Sequence, residues 1–111
     1  MFHVKHLYVR VDLKIPGITL SHIAELAELN TQACRPLRMI QIGQEDAISG
    51  LVDCQQGSRQ GIIDVPKDTV PHPNAYAEFE DVLATDLSAE EFEALWQEAR
   101  VLFPEHKDQA L

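Results

Sequence analysis

The stretch Leu7-Tyr8-Val9-Arg10-Val11-Asp12-Leu13-Lys14-Ile15 decides how the chain is read. Apolar residues at 7, 9, 11, 13 and 15 alternate with Tyr8, Arg10, Asp12 and Lys14. A period of two belongs to a half-buried β-strand, because successive side chains leave the backbone on opposite faces. Pro16-Gly17 ends the strand, since proline has no N–H for the ladder and glycine permits the reversal.

Working outward, residues 18–30 are ambiguous between helix and strand. Ser21 precedes Ile23, Leu26 and Leu29 with Ala24 and Ala27 between them, the pattern of an N-capped helix of about two and a half turns at 21–30. Glu25 and Glu28 then lie one turn apart on its outer side, and Asn30 closes it as a left-handed cap. The run 24–29 does not alternate strictly, which disfavours a strand. Residues 37–42 read as a strand with Arg38, Ile40 and Ile42 sharing one parity, and 48–54 as a short apolar run broken by Gly50. Gln44-Glu45-Asp46 is a polar turn between them, so the two runs suggest an antiparallel hairpin. Residues 55–61 are a loop by composition, and 62–65 a further short strand stopped by Pro66. Residues 66–77 hold Pro66, Pro71 and Pro73 without any period, which predicts a stiff crossing segment over the body.

The C-terminal helix is the most fully specified element. Ser88 with Glu91 three residues on makes a capping box, and Leu87 and Phe92 occupy the staple positions. Phe92, Leu95, Trp96, Ala99, Leu102 and Phe103 form one apolar stripe, with Glu90, Glu93, Gln97 and Arg100 on the other side. Pro104 stops the helix, and the tail 105–111 is expected to fray. The predicted fold class is α+β: an antiparallel sheet of about four strands packed against a C-terminal amphipathic helix, in a single domain 1–111.

Charge is the strongest functional signal. The 111 residues carry 9 Lys+Arg and 18 Asp+Glu, a net charge of −9, which argues against direct nucleic-acid binding because phosphates demand clustered cations. Residues 1–43 hold five basic and three acidic groups, a net +2; residues 44–111 hold four basic and fifteen acidic, a net −11. Within 78–98 stand Glu78, Glu80, Asp81, Asp86, Glu90, Glu91, Glu93 and Glu98 with no base among them. Asp86, Glu90 and Glu91 also suit the positive end of a helix dipole, so part of this acidity is structural.

Other chemistry is sparse. His3 and His6 point to opposite faces of a strand, His22, His72 and His106 are scattered, and neither Cys34 nor Cys54 belongs to a Cys-x-x-Cys pair. No metal or cofactor is expected, and the cysteines read as inert thiols of a soluble cytoplasmic protein. The paired carboxylates Glu78/Glu80 and Glu90/Glu93 lack the apolar surroundings that would raise one pKa selectively, and the five glycines form no phosphate loop. No run of apolar residues is long enough for a membrane span.

The blocks Leu37-Arg38-Met39-Ile40-Gln41-Ile42, Gln60-Gly61-Ile62-Ile63-Asp64-Val65-Pro66 and Leu87-Ser88-Ala89-Glu90-Glu91-Phe92-Glu93-Ala94-Leu95-Trp96 resemble a family of small uncharacterised bacterial proteins, a domain of unknown function ending in a Glu-Glu-Phe-Glu-x-Leu-Trp helix. The resemblance covers about residues 25–99. It implies a strand over 26–30, against the helix favoured above, and a turn glycine where this chain has Asp46. It implies no catalytic residues.

These readings lead to a non-enzymatic acidic binding protein that inhibits a basic partner. That partner is expected to be a bacterial nuclease toxin, the chain being its immunity protein, or a nucleic-acid-binding defence complex, the chain being a phage-encoded inhibitor. Glu45, Asp46, Glu78, Glu80, Asp81, Asp86, Glu90 and Glu93 are the expected contact residues. A cleft that holds phosphates is cationic, so an anionic surface is steered to it. The alternative is a small enzyme or ligand-binding domain using the sheet face opposite the helix, with Tyr8, Arg10 and Arg38 as anion-binding residues.

Overall fold

The computed structural model describes residues 4–104. Seven strands and one helix follow in order: β1 His6–Leu13, β2 Ser21–Glu28, β3 Ala33–Ile42, β4 Ile48–Asp53, β5 Ser58–Gly61, β6 Val70–Pro71, β7 Val82–Asp86 and α1 Ala89–Leu102. The sheet order is β5-β4-β3-β2-β1-β7, every pairing antiparallel, and the two-residue β6 pairs the start of β3. The α+β class stands, but with seven strands in place of about four.

Three segments account for the difference. The 21–30 segment is not a helix: Ser21 to Glu28 is β2, flanked by β1 and β3. It is covered on both faces, so Ile23 and Ala24, on opposite faces, are both buried, and the polar alternation that marks a strand is absent. The strand expected at 62–65 lies earlier, at Ser58–Gly61, inside the expected loop. Gly61 makes this possible, with φ +73 and no room for a Cβ against the Ser49 carbonyl. Finally, Val82–Asp86 pairs with β1 as an edge strand, a role masked by the surrounding acids.

The strands predicted in the first and third runs are present, and β3 extends further back than expected, through Pro36. Proline lacks a ladder donor, yet here it sits beside a bulge: Glu25 pairs Arg38 while Leu26 pairs Pro36, so Leu37 is the extra residue. The bulge reverses parity. Cys34 before it and Met39 after it therefore share one face.

That arrangement yields a core on each side of the sheet. On the helix side, Ile23, Ile40, Ile42 and Leu51 meet Phe92, Trp96 and Ala99. On the other side, Val9, Ala24, Leu26, Cys34, Met39 and Val52 pack with Ile63 and with Val70 from the proline-rich crossing. The crossing contains β6 and a 3-10 turn at Pro73–Glu78. Buried His72 anchors it: the Asn74 amide donates to His72 Nδ1 at 3.1 Å, which places the ring proton on Nε2, 2.7 Å from Glu28 Oε2. The capping box at Ser88 and Glu91 forms in full. The tail 105–111 and His3 lie outside the described residues.

Candidate functional site

Two backbone hydrogen bonds fix which way the edge strand β7 faces. Lys14 N–H donates to the Asp81 carbonyl at 2.7 Å, and Leu87 N–H to the Tyr8 carbonyl at 2.9 Å. In the antiparallel register with β1, bonded and non-bonded pairs alternate. Leu83 and Thr85 therefore bond inward, and the N–H and C=O groups of Val82, Ala84 and Asp86 face away from β1. Alongside runs a groove of about 420 Å³, with Tyr76, Ala77 and Phe79 on one wall and Val82, Leu83 and Ala84 on the other. Phe79 is 58% exposed and Leu83 44%.

Four of the expected contact acids frame this edge. Glu78 ends the 3-10 turn, Glu80 and Asp81 lead into β7, and Asp86 closes it, all exposed. Glu45 and Asp46 stand apart, on a 3-10 turn at Gln44–Asp46. The register Ile42–Ser21–Asp12–Leu83 sets that turn at the same end of the sheet as Asp81. It lies three strand spacings away, about 14 Å, which exceeds the screening length of about 8 Å in physiological salt. Glu90 is exposed in the first turn of α1. Among the described residues, Glu45, Asp46, Glu78, Glu80, Asp81, Asp86 and Glu90 hold no ion pair. Glu93 does: it binds Arg38.

Arg38 belongs to a network that the sequence did not reveal. Cross-strand pairing sets Glu25 directly opposite Arg38 and Tyr8. Arg38 Nε donates to Glu25 Oε1 at 2.7 Å and its terminal nitrogen to Oε2 at 3.1 Å, while Tyr8 Oη donates to Oε2 at 3.1 Å. The other side of the guanidinium binds Glu93 of α1 and lies 5.0 Å from the Phe92 ring centroid and 5.1 Å from that of Trp96. Burial alone would raise the Glu25 pKa, but the Arg38 hydrogen bonds and charge outweigh it and hold the carboxyl below its usual range. Arg38 is pushed further toward its charged form, chiefly by Glu25. Burial first, then the Glu25 charge, raises Tyr8. The arrangement clamps helix to sheet.

It also corrects the expected sheet-face site. Tyr8, Arg10 and Arg38 point to the helix side, Tyr8 against Phe92 and Arg38 against α1. Arg10 bonds Asp12 at 2.9 Å, and Asp12 in turn accepts from Ser21, so its carboxyl also sits below the usual range despite burial. The opposite face is roofed by the crossing segment, which leaves a cavity of about 230 Å³ lined largely by Val9, Ala24, Leu26, Met39, Val70 and Tyr76. Cys34 is buried and Cys54 half-buried, both as free thiols raised by burial and by nearby carboxylates. Among the described residues no group of three or more His, Cys, Asp or Glu gathers to hold a metal ion, and no helix is long and apolar enough to cross a membrane.

The internal network is hidden in the sequence because the spacing at 21–30 fits a helix with Glu25 on its outer side. Its one signal is a strand register that pairs Glu25 with Arg38, and that register depends on the bulge at Leu37. The edge groove is hidden because Val82–Asp86 has no clear alternation. Compared with protein-family models, with curated proteins and with solved structures, the chain has no match.

Proposed function

We propose that this chain is a non-enzymatic acidic binding protein that docks on and inhibits a basic protein partner, acting either as the immunity protein of a nuclease toxin or as a phage-encoded inhibitor of a nucleic-acid-binding complex. The observation that carries the reading is the division of charge. Arg10 and Arg38 are committed to Asp12, Glu25 and Glu93, while seven exposed acids hold no ion pair among the described residues. An uncompensated negative surface repels nucleic acid and attracts a cationic phosphate-binding cleft, raising the association rate. The ligand-binding rival loses support because Tyr8 and Arg38 are engaged against α1 and Arg10 by Asp12.

Affinity capture from the cell of origin, followed by titration of the purified captured protein, tests this. A cationic partner whose affinity falls about tenfold or more between about 50 and 300 mM salt supports it. A partner that is acidic, or whose binding ignores salt, overturns it.

A further inference from the structure

The edge of β7 combines three features that the acidic surface alone does not explain. Its outward N–H and C=O groups at Val82, Ala84 and Asp86 have no partner among the described residues and form a template for a further strand. Its groove carries apolar side chains at Phe79, Val82 and Ala84, with polar Asn74 and Asp86 beside them. Its ends are acidic, with Glu78, Glu80 and Asp81 at one and Asp86 at the other. We propose that the partner inserts an extended segment here as an added strand, with apolar residues in alternation and Lys or Arg at both ends. This rests on the binding reading above and names its docking mode.

The geometry selects the segment's pattern. Side chains of directly paired residues lie on the same face of a sheet. Val82 and Ala84 sit opposite Leu13 and Val11, on the side of the crossing segment. Incoming residues that bond to Val82 and Ala84 therefore point into the groove and are apolar, while their neighbours face the other way. β7 is about 17 Å long, enough to engage about five residues. A second copy is a poor occupant. Two β7 edges paired antiparallel about Ala84 would set Asp86 of one copy opposite Val82 of the other, with Glu80 as its same-face diagonal neighbour, at both ends, and like charges there repel. The acids bar self-association and admit a cationic strand.

The probe is a peptide of about nine residues alternating lysine and valine, titrated into the isotope-labelled full chain at low salt with amide resonances followed. The expected result is shifts and exchange protection centred on Val82, Ala84 and Asp86. N-methylation of the valine amides should weaken binding about tenfold or more, and N-methylation of the lysine amides should leave it nearly unchanged. If both methylated peptides bind like the parent, or the shifts lie on Glu45, Asp46 or α1, strand addition is overturned while the charge-based reading survives. If no peptide binds, strand addition is likewise overturned, and the charge-based reading stands or falls on the salt titration of the captured partner.

Discussion

Glu25 and Glu80 carry the same side chain and have opposite fates. Glu25 is buried in the middle of the sheet with both carboxylate oxygens bonded, one of them to two donors. Glu80 stands at the mouth of β7, exposed and without an ion pair among the described residues. The Glu25 charge helps hold α1 to the sheet through Arg38, whereas the acids on the β7 rim hold no ion pair among the described residues. The clamp charges and the exposed rim charges are thus separable by mutation, and the contrast can be broken from either side.

The largest effect should come from the apolar platform beneath the clamp. Phe92 is fully buried and lies against Tyr8, Trp96 and Arg38. Phe92→Ala should lower unfolding free energy by about 4 kcal/mol in denaturant titration. Glu25→Gln should cost about 3 kcal/mol, because it leaves a half-buried guanidinium short of its main partner. That loss has a pH signature. The Glu25 carboxyl is depressed in the folded state, so its stabilisation is complete above the unfolded carboxylate pKa of about 4.3 and is lost as pH falls through the lower folded value. Wild type and Glu25→Gln should differ fully at pH 7 and converge below about pH 4.

Smaller effects fall outside the clamp's interior. Glu45 has φ +63, a left-handed conformation that costs an ordinary side chain about 1 kcal/mol. Glu45→Gly should recover about that much, read as a higher unfolding midpoint. Glu93→Gln removes the exposed arm of the clamp and should cost only about 0.5 kcal/mol. A loss as large as that of Glu25→Gln would erase the distinction drawn between inner and outer charges.

The sequence made legible those elements whose two sides differ. β1 has a polar and an apolar parity, and α1 has a stripe, a capping box and a proline stop, so each could be read locally. β2 could not, because it is sandwiched between two cores and its one buried charge is neutralised from another strand. Pro36 and Gly61 punctuate β3 and end β5 where a bulge and a left-handed turn accommodate them, and both depend on neighbours distant in sequence. Asp46 has φ +57, a conformation that glycine takes without strain and that nothing in the local sequence announces. For the candidate site, each acid could be named in advance, but their grouping could not. It depends on β7 pairing with β1, which gathers Glu78, Glu80, Asp81 and Asp86 along one edge and leaves Glu45 and Asp46 apart.

The most direct test of the account is the affinity of one variant, Glu78→Gln/Glu80→Gln/Asp81→Asn/Asp86→Asn, for the captured cationic partner at fixed low salt, with its unfolding free energy measured beside it. Its affinity should be at least about tenfold weaker, with stability within about 0.5 kcal/mol of wild type. Unchanged affinity in a folded variant would contradict it.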